Sequence, residues 1–431
     1  MNTPVTRERT PAARAAALFD PFEGYFAAGK KSSPAPGSLL DLPERRRWFE
    51  VVGWGCDEGL YTYQQPLEGC TGRRVRVQGR SMLMLSAYDY LGLVGHPKIE
   101  RAAVDSVRRY GTSTGGVRML TGTTELHLEL ERELADFKGV EAAITFGSGY
   151  MANLAAVSAL VGPDDQVILD ERSHRSLSDA CLLARVPTCT FRHNDPASLD
   201  DRLRGSAKAG RTLIAVDGLY SMDGDVCPLP ELVELKRRYG AFLLVDEAHS
   251  LGALGPTGRG VDEHFGLAPD AVDIWTGALS KAIPSNGGFL AGSRELIIYL
   301  QHAAAPFWFS AALCPPAVAA ASAALRVVRR EPQRLTQLAQ NAARLGAGLR
   351  DLGYETGAGA SAIIPVIVGE AEATWRLARG LFDRGVIASA VVHPAVPRDG
   401  ARLRICATAA YTEDDLDEAL DAFDQVRRLH Q

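Results

Sequence analysis

Asp246 and His249 stand three residues apart at the end of a short apolar run, Leu243-Leu244-Val245. Lys281 follows a second run, Ile274-Trp275-Thr276-Gly277-Ala278-Leu279-Ser280. Strand-type stretches that end in polar residues deliver side chains to the carboxyl edge of a parallel sheet, where ligands of open α/β sheets bind. An acid that holds a protonated pyridine nitrogen and a lysine that forms a Schiff base are what pyridoxal phosphate (PLP) chemistry needs. Asp-Glu-Ala-His at 246–249 also reads as the Walker-B motif of a helicase. That reading requires a Gly-x-x-x-x-Gly-Lys-[Ser/Thr] partner. The nearest match runs from Gly24 to Lys30, ends in Lys31 and has no apolar strand before it.

Further segments carry chemistry-bearing residues in the same style. Glu141 to Phe146 reads as a strand, followed by Gly147-Ser148-Gly149-Tyr150-Met151-Ala152-Asn153. A strand, a glycine turn and a helix start make an anion site, with backbone N–H groups and the helix dipole facing the ligand. The strand Gln166 to Leu169 leads to Asp170-Glu171-Arg172-Ser173-His174-Arg175-Ser176. The strand Thr212 to Val216 leads to Asp217-Gly218-Leu219-Tyr220-Ser221-Met222-Asp223-Gly224-Asp225. Earlier lie Ser86-Ala87-Tyr88-Asp89-Tyr90-Leu91-Gly92-Leu93 and a glycine-rich segment, Gly111 to Arg118. Late in the chain, Arg402-Leu403-Arg404-Ile405 is a last strand carrying two guanidinium groups, of which Arg402 reads as a solvated strand-end residue. His193 closes another short strand and reads as part of a structural turn.

These motifs, in this order from about Tyr88 to Tyr411, resemble the α-oxoamine synthase family of fold-type I PLP enzymes. The resemblance implies an α/β fold-type I PLP transferase: a mostly parallel sheet flanked by helices, with a smaller C-terminal α+β domain. It implies that Lys281 carries PLP, Asp246 pairs with the ring nitrogen, His249 bonds the phenolic oxygen and His174 stacks on the ring. Asp246 would keep that nitrogen protonated by opposite-charge stabilisation. Ser148, Gly149 and Tyr150 form the phosphate cup, with Ser280 and Ser310 nearby, and Ser221 touches the cofactor or substrate. Arg404 clamps the substrate carboxylate, for which a planar fork is suited; Tyr88 and Asp89 lie beside the amino acid. The implied reaction joins Gly, Ala or Ser to an acyl thioester of coenzyme A or acyl carrier protein. Lys281 takes the α-proton, CO2 is lost, and an α-aminoketone results. The active sites are expected to be shared across a homodimer.

Several positions depart from the family. The Asn of its Asn-Tyr-Leu-Gly or Asn-Asp-Tyr-Leu-Gly segment is replaced by Asp89 or Tyr88, and a carboxylate there would repel a substrate carboxylate unless paired. The Thr three residues before the lysine is Ala278, and the interface Ser-Thr is Ser310-Ala311. Two hydroxyl donors to phosphate are missing, so weaker PLP affinity is expected, with Ser280, Ser310 or Thr276 in compensation. The family His after the arginine is Tyr411. These losses motivate a rival reading, a catalytically silent subunit that supports an active partner; transamination is a second rival, without motif support. His249-Ser250 and Gly255 to Gly260 lean toward serine palmitoyltransferases.

The bulk properties agree with a soluble enzyme. The chain has 431 residues, 46% hydrophobic and 23% charged, with net charge −5. That length suggests two domains, and the charge leaves no nucleic-acid footprint. Cys56, Cys70, Cys181, Cys189, Cys227, Cys314 and Cys406 are dispersed, with no Cys-x-x-Cys and no secretory signal. A reduced, cytoplasmic chain without a metal site is expected. Ala303 to Leu325 has no charged residue, but Pro306, Pro315 and Pro316 interrupt it. It reads as a buried interface loop leading into a helix, not a transmembrane segment.

The elements that must position these groups follow from periodicity. Expected helices are Pro11–Phe19, Lys98–Tyr110, Thr124–Phe137, an Ala-rich set from Pro315 to Leu349, Glu370–Arg384 and Thr412–Leu429. Lys30–Gly37 reads as linker, and Tyr61–Leu85 as a small antiparallel ribbon. Ile363–Val368 and Val386–Val391 read as late strands. The expected division is an arm and ribbon at 1–85, a PLP-binding domain at 86–316 and a small domain at 317–431.

Overall fold

The structure, a computed structural model, describes residues 18–26, 34–206, 210–359 and 361–429. Most of the helix expected from Pro11 and part of the Lys30–Gly37 linker lie outside the described residues.

Thirteen strands occur among them, in chain order: β1 (Arg74–Val77), β2 (Arg80–Met84), β3 (Ala142–Phe146), β4 (Gln166–Asp170), β5 (Thr188–Phe191), β6 (Thr212–Asp217), β7 (Phe242–Asp246), β8 (Ile274–Ser280), β9 (Pro284–Gly292), β10 (Ile363–Gly369), β11 (Val386–Ile387), β12 (Ser389–Val391) and β13 (Ala401–Cys406). Seven form the central sheet in the order β3-β9-β8-β7-β6-β4-β5. The run from β8 to β5 is parallel, while β9 lies antiparallel to both β3 and β8. Continuous apolar runs such as Leu213 to Val216 and Leu243 to Val245 are buried, as strands covered by helices on both faces must be.

Because consecutive side chains of a strand alternate in direction, Asp246 and Glu247 at the end of β7 have different surroundings. Glu247 meets Lys138 Nζ at 2.5 Å. Lys138 also reaches Asp262 at 2.6 Å and lies 3.5 Å from the centre of the Trp275 ring. This buried charge cluster ties the helix Glu125–Lys138 to the sheet. Removing one member of such a pair costs about 3–5 kcal/mol.

A three-stranded sheet β10-β13-β12 and a second one, β1-β2-β11, complete the architecture. The segment expected as one strand from Val386 to Val391 is split. Val386 and Ile387 pair parallel with β2, while Ser389 to Val391 pair antiparallel with β13. Buried Ala388 lies between the two, so one stretch serves both small sheets and joins the ribbon to the C-terminal third.

The final helix begins where the sequence indicates. Thr412 Oγ1 accepts from Asp415 N, and the Asp415 carboxylate accepts from Thr412 N at 3.0 Å, a reciprocal cap that satisfies orphan donors. A helix at Pro43–Asp57 was not expected, although Pro43 and Glu44 in its first turn are start signals. The segment from Ala303 breaks into a short helix Ala305–Trp308, a loop, and the helix Pro315–Arg330. No helix among the described residues is long and apolar enough to cross a membrane. Within one chain the loop is open, and Phe309 is 85% exposed.

Candidate active site

The carboxyl ends of β6, β7 and β8 bring the titratable groups together. Asp246 ends β7 and is buried. Its Oδ1 accepts from Ala248 N at 2.8 Å, and its Oδ2 accepts from Asn153 Nδ2 at 2.7 Å. Asn153 also donates to Ser176 Oγ at 2.8 Å, and its own oxygen accepts from Thr276 Oγ1 at 2.6 Å. The carboxylate is therefore held by three elements: the turn after β7, the helix Gly149–Leu160 and, through Asn153, strand β8.

Asp217 ends β6 and stands in register beside Asp246. Burial, followed by the like charge of Asp246, pushes its pKa well above the carboxylate range. Its Oδ1 accepts from His174 N at 3.0 Å. His174 opens the helix Arg175–Ala184, and its Nδ1 meets Ser176 Oγ at 2.7 Å. Desolvation lowers the His174 pKa and Lys281 adds to that, against the pull of Asp246.

His249 is buried, with Nδ1 2.7 Å from Tyr90 Oη and its ring edge-on to Tyr88 at 5.7 Å. Desolvation, then the cations Lys281 and Arg404, push its pKa well below the usual range. The Lys281 pKa is lowered too, by desolvation first, although Asp246 and Asp217 work against that. Its Nζ lies 5.9 Å from the centre of the Tyr88 ring. Arg404, on β13, is buried; its guanidinium lies 4.6 Å over the same ring and bonds Tyr88 Oη. Its Nε has no hydrogen-bond partner, which leaves a buried cation with an unused donor.

Ser148 caps the helix Gly149–Leu160, its Oγ accepting from Met151 N at 3.2 Å. A Cβ at Gly288 would lie 2.4 Å from Gly149 N, so β9 presses directly against this helix start. Tyr150 is 40% exposed and its hydroxyl bonds Asp179. Ser310 approaches only the Met151 sulfur, at 4.0 Å. Ser280 is exposed at the end of β8, and Ser221 is half-buried in the loop after β6.

Three sequence expectations need revision. Thr276 does not compensate for Ala278, because it is fully buried and its hydroxyl is spent on Asn153. Arg402 is not a solvated strand-end residue: it is 5% exposed and donates to Asp223 at 2.7 Å and to the Met222 carbonyl. It thereby pins the Ser-Met-Asp-Gly-Asp loop to β13. The Asp89 carboxylate does not stand bare: it is buried and accepts from Leu93 N at 2.7 Å and from Val94 N. His193 lies between Asp170 at 2.9 Å and Asp225 at 2.7 Å, within the expected turn. Tyr411 is buried and donates to the Met84 carbonyl. Asn153 and Asp217 were quoted as parts of motifs but not as site residues.

Residues 80–423 match the family model Aminotransferase class I and II. The chain is 42% identical over 369 residues to an 8-amino-7-oxononanoate synthase of Thermoanaerobacter pseudethanolicus, covering 85% of this chain and 93% of that one. It is 38% identical over 385 residues to a serine palmitoyltransferase of Sphingobacterium spiritivorum, covering 89% and 96%. Among solved structures, serine palmitoyltransferase from S. paucimobilis with bound PLP–myriocin aldimine superposes with a TM-score of 0.88 at 32% identity, covering 91% of this chain and 99% of that one.

Proposed function

We propose a reaction for this chain from the premise that it belongs to the class I and II aminotransferase family and, within it, to the α-oxoamine synthases. The reaction is a PLP-dependent decarboxylative condensation of a small α-amino acid with an acyl thioester. It releases CO2 and the free thiol and leaves an α-aminoketone. The observation that carries this reading is the gathering of Lys281, Asp246, His249, His174 and Arg404 within electrostatic reach of one another, around the carboxyl ends of β7 and β8.

The residues present suit PLP. A buried carboxylate, a lysine of lowered pKa and a tightly packed glycine-flanked helix start supply the acid, the amine and the anion donors in one place. Lys281 would hold the aldehyde carbon, Asp246 the ring nitrogen, His249 the phenolic oxygen and His174 the ring face. Ser148, Gly149 and Tyr150, with Ser280 and Ser310, would face the phosphate, and Ser221 the cofactor edge or substrate. When bound, PLP supplies an electron sink for negative charge at the substrate α-carbon.

The chain's own groups perform the rest. Arg404, with its unused Nε, anchors the amino-acid carboxylate, and the Tyr88 hydroxyl holds the guanidinium in place. Lys281 Nζ, whose pKa desolvation lowers, takes the α-proton and returns a proton to that carbon after CO2 has left. Burial of His249 keeps its imidazole neutral, so one ring nitrogen accepts and the other donates. Asn153 and Thr276 fix the Asp246 carboxylate.

A homodimer with shared sites completes the reading. It is supported by Phe309 and Leu120, 85% and 75% exposed, and by the bridge between Val117 and Ala311 that joins their loops. Seven free cysteines support a reducing compartment such as the cytoplasm. The test is to supply glycine, alanine or serine with acyl thioesters and to measure CO2 and free thiol. Equal amounts of both are expected; thiol without CO2 would overturn the reading.

A further inference from the structure

The chain of the acyl thioester is the open element of this reaction. A cavity of about 680 Å³ opens beside Lys281. Leu93 and Ile99 line it, with Ala103 and Ala320 from two packed helices and Met84 and Ile387 from the ribbon sheet. A smaller cavity of about 200 Å³ shares Met84 and Ile387 with it and extends past Tyr63 and Phe382. Apart from Lys281, neither cavity has a Lys, Arg or His among its described lining residues. The other charged groups of the wall are Asp89, already engaged with Leu93 N and Val94 N, and Glu100, which is exposed.

We propose, resting on the reaction above, that this cavity takes the acyl chain and selects plain hydrocarbon chains over chains that end in a carboxylate. Its continuity with Lys281 places the chain next to the carbon that reacts. A hydrocarbon chain gains about fourfold in kcat/KM for each methylene it buries here. A terminal carboxylate would shed water without meeting a cation and would face Glu100. A product such as 8-amino-7-oxononanoate, whose far end is a carboxylate, would need the opposite lining.

The test compares heptanoyl and pimeloyl thioesters, equal in length and different only at the far end, on the PLP-loaded enzyme. Each is supplied on coenzyme A and on acyl carrier protein, with glycine, alanine and serine. Heptanoyl is expected to win by roughly a hundredfold in kcat/KM. Equal use, or preference for pimeloyl, overturns the proposal while turnover itself leaves the reaction standing. No turnover with any pair overturns the reaction and the selection with it. Ala103→Leu and Ala320→Leu, made separately, narrow the wall from two sides. Each is expected to move the preferred chain to shorter lengths, with the cofactor absorbance and thermal midpoint of wild type. A chain-length profile unmoved in both variants would place the acyl chain elsewhere.

Discussion

Asp217 and Asp246 stand side by side at the ends of β6 and β7, two carboxyl groups in register on neighbouring parallel strands. Both are buried. Asn153 and Ala248 N satisfy Asp246 as an acceptor, whereas Asp217 accepts from His174 N. Two such charges in a low dielectric repel, and burial with that repulsion raises the Asp217 pKa. The pair thus shifts Asp217 toward its protonated form, with its carboxyl oxygen holding His174 N.

A raised pKa makes Asp217 favour folding when protonated, so its contribution is present at low pH. It is lost as pH rises above the unfolded value, about 3.9. Asp217→Asn keeps an acceptor for His174 N without the proton requirement. Thermal unfolding across pH should show the variant gaining on wild type as pH rises; parallel profiles would count against a protonated Asp217.

His193 has the same sign from the opposite chemistry. Burial alone would lower its pKa, but hydrogen bonds to Asp170 and Asp225 raise it from 6.5 to about 9. Stability from this ion cluster is full below about 6.5 and is lost as pH rises through about 9. In His193→Gln the drop across that window should vanish, as urea unfolding at several pH values would register.

Asn153→Ala and Thr276→Val remove successive links of the chain that orients Asp246. A hydrogen bond to a charged group is worth about 1.5–3 kcal/mol, so Asn153→Ala should weaken PLP retention roughly ten- to hundredfold. Thr276→Val, which leaves the Asp246 contact intact, should lose less. Dialysis followed by absorbance would rank the three proteins.

Ala278→Thr restores a hydroxyl on β8 beside Gly149, whose added Cβ would lie 3.1 Å from Ala278 Cβ. With Thr276 engaged elsewhere, this position is open to a new phosphate donor. PLP affinity should rise about tenfold by equilibrium titration.

How much of this was legible before the structure varies by the physics involved. Lys281, Asp246 and His249 follow strand-type runs, and a parallel strand delivers its last residues to one edge. Asn153 was harder, because its role arises only when the helix Gly149–Leu160 packs on β8. Asp217 needed the pairing of β6 with β7, a non-local register. The antiparallel β9 was not among the expected elements, because glycines inside a strand weaken its signal; Gly287, with φ 118°, and Gly288 both lie within it. Helix Pro43–Asp57 carries a start signal that its polar, Arg-rich sequence obscured.

The central claim is that Lys281 binds PLP in a site built for a small amino acid. Purified protein, supplied with PLP, is titrated with glycine, alanine and serine while the absorbance near about 420 nm is followed. The expected result is a band that shifts saturably with one of the three and is absent in Lys281→Ala. No band in the unmodified chain at saturating PLP, or an equal band in Lys281→Ala, would contradict it.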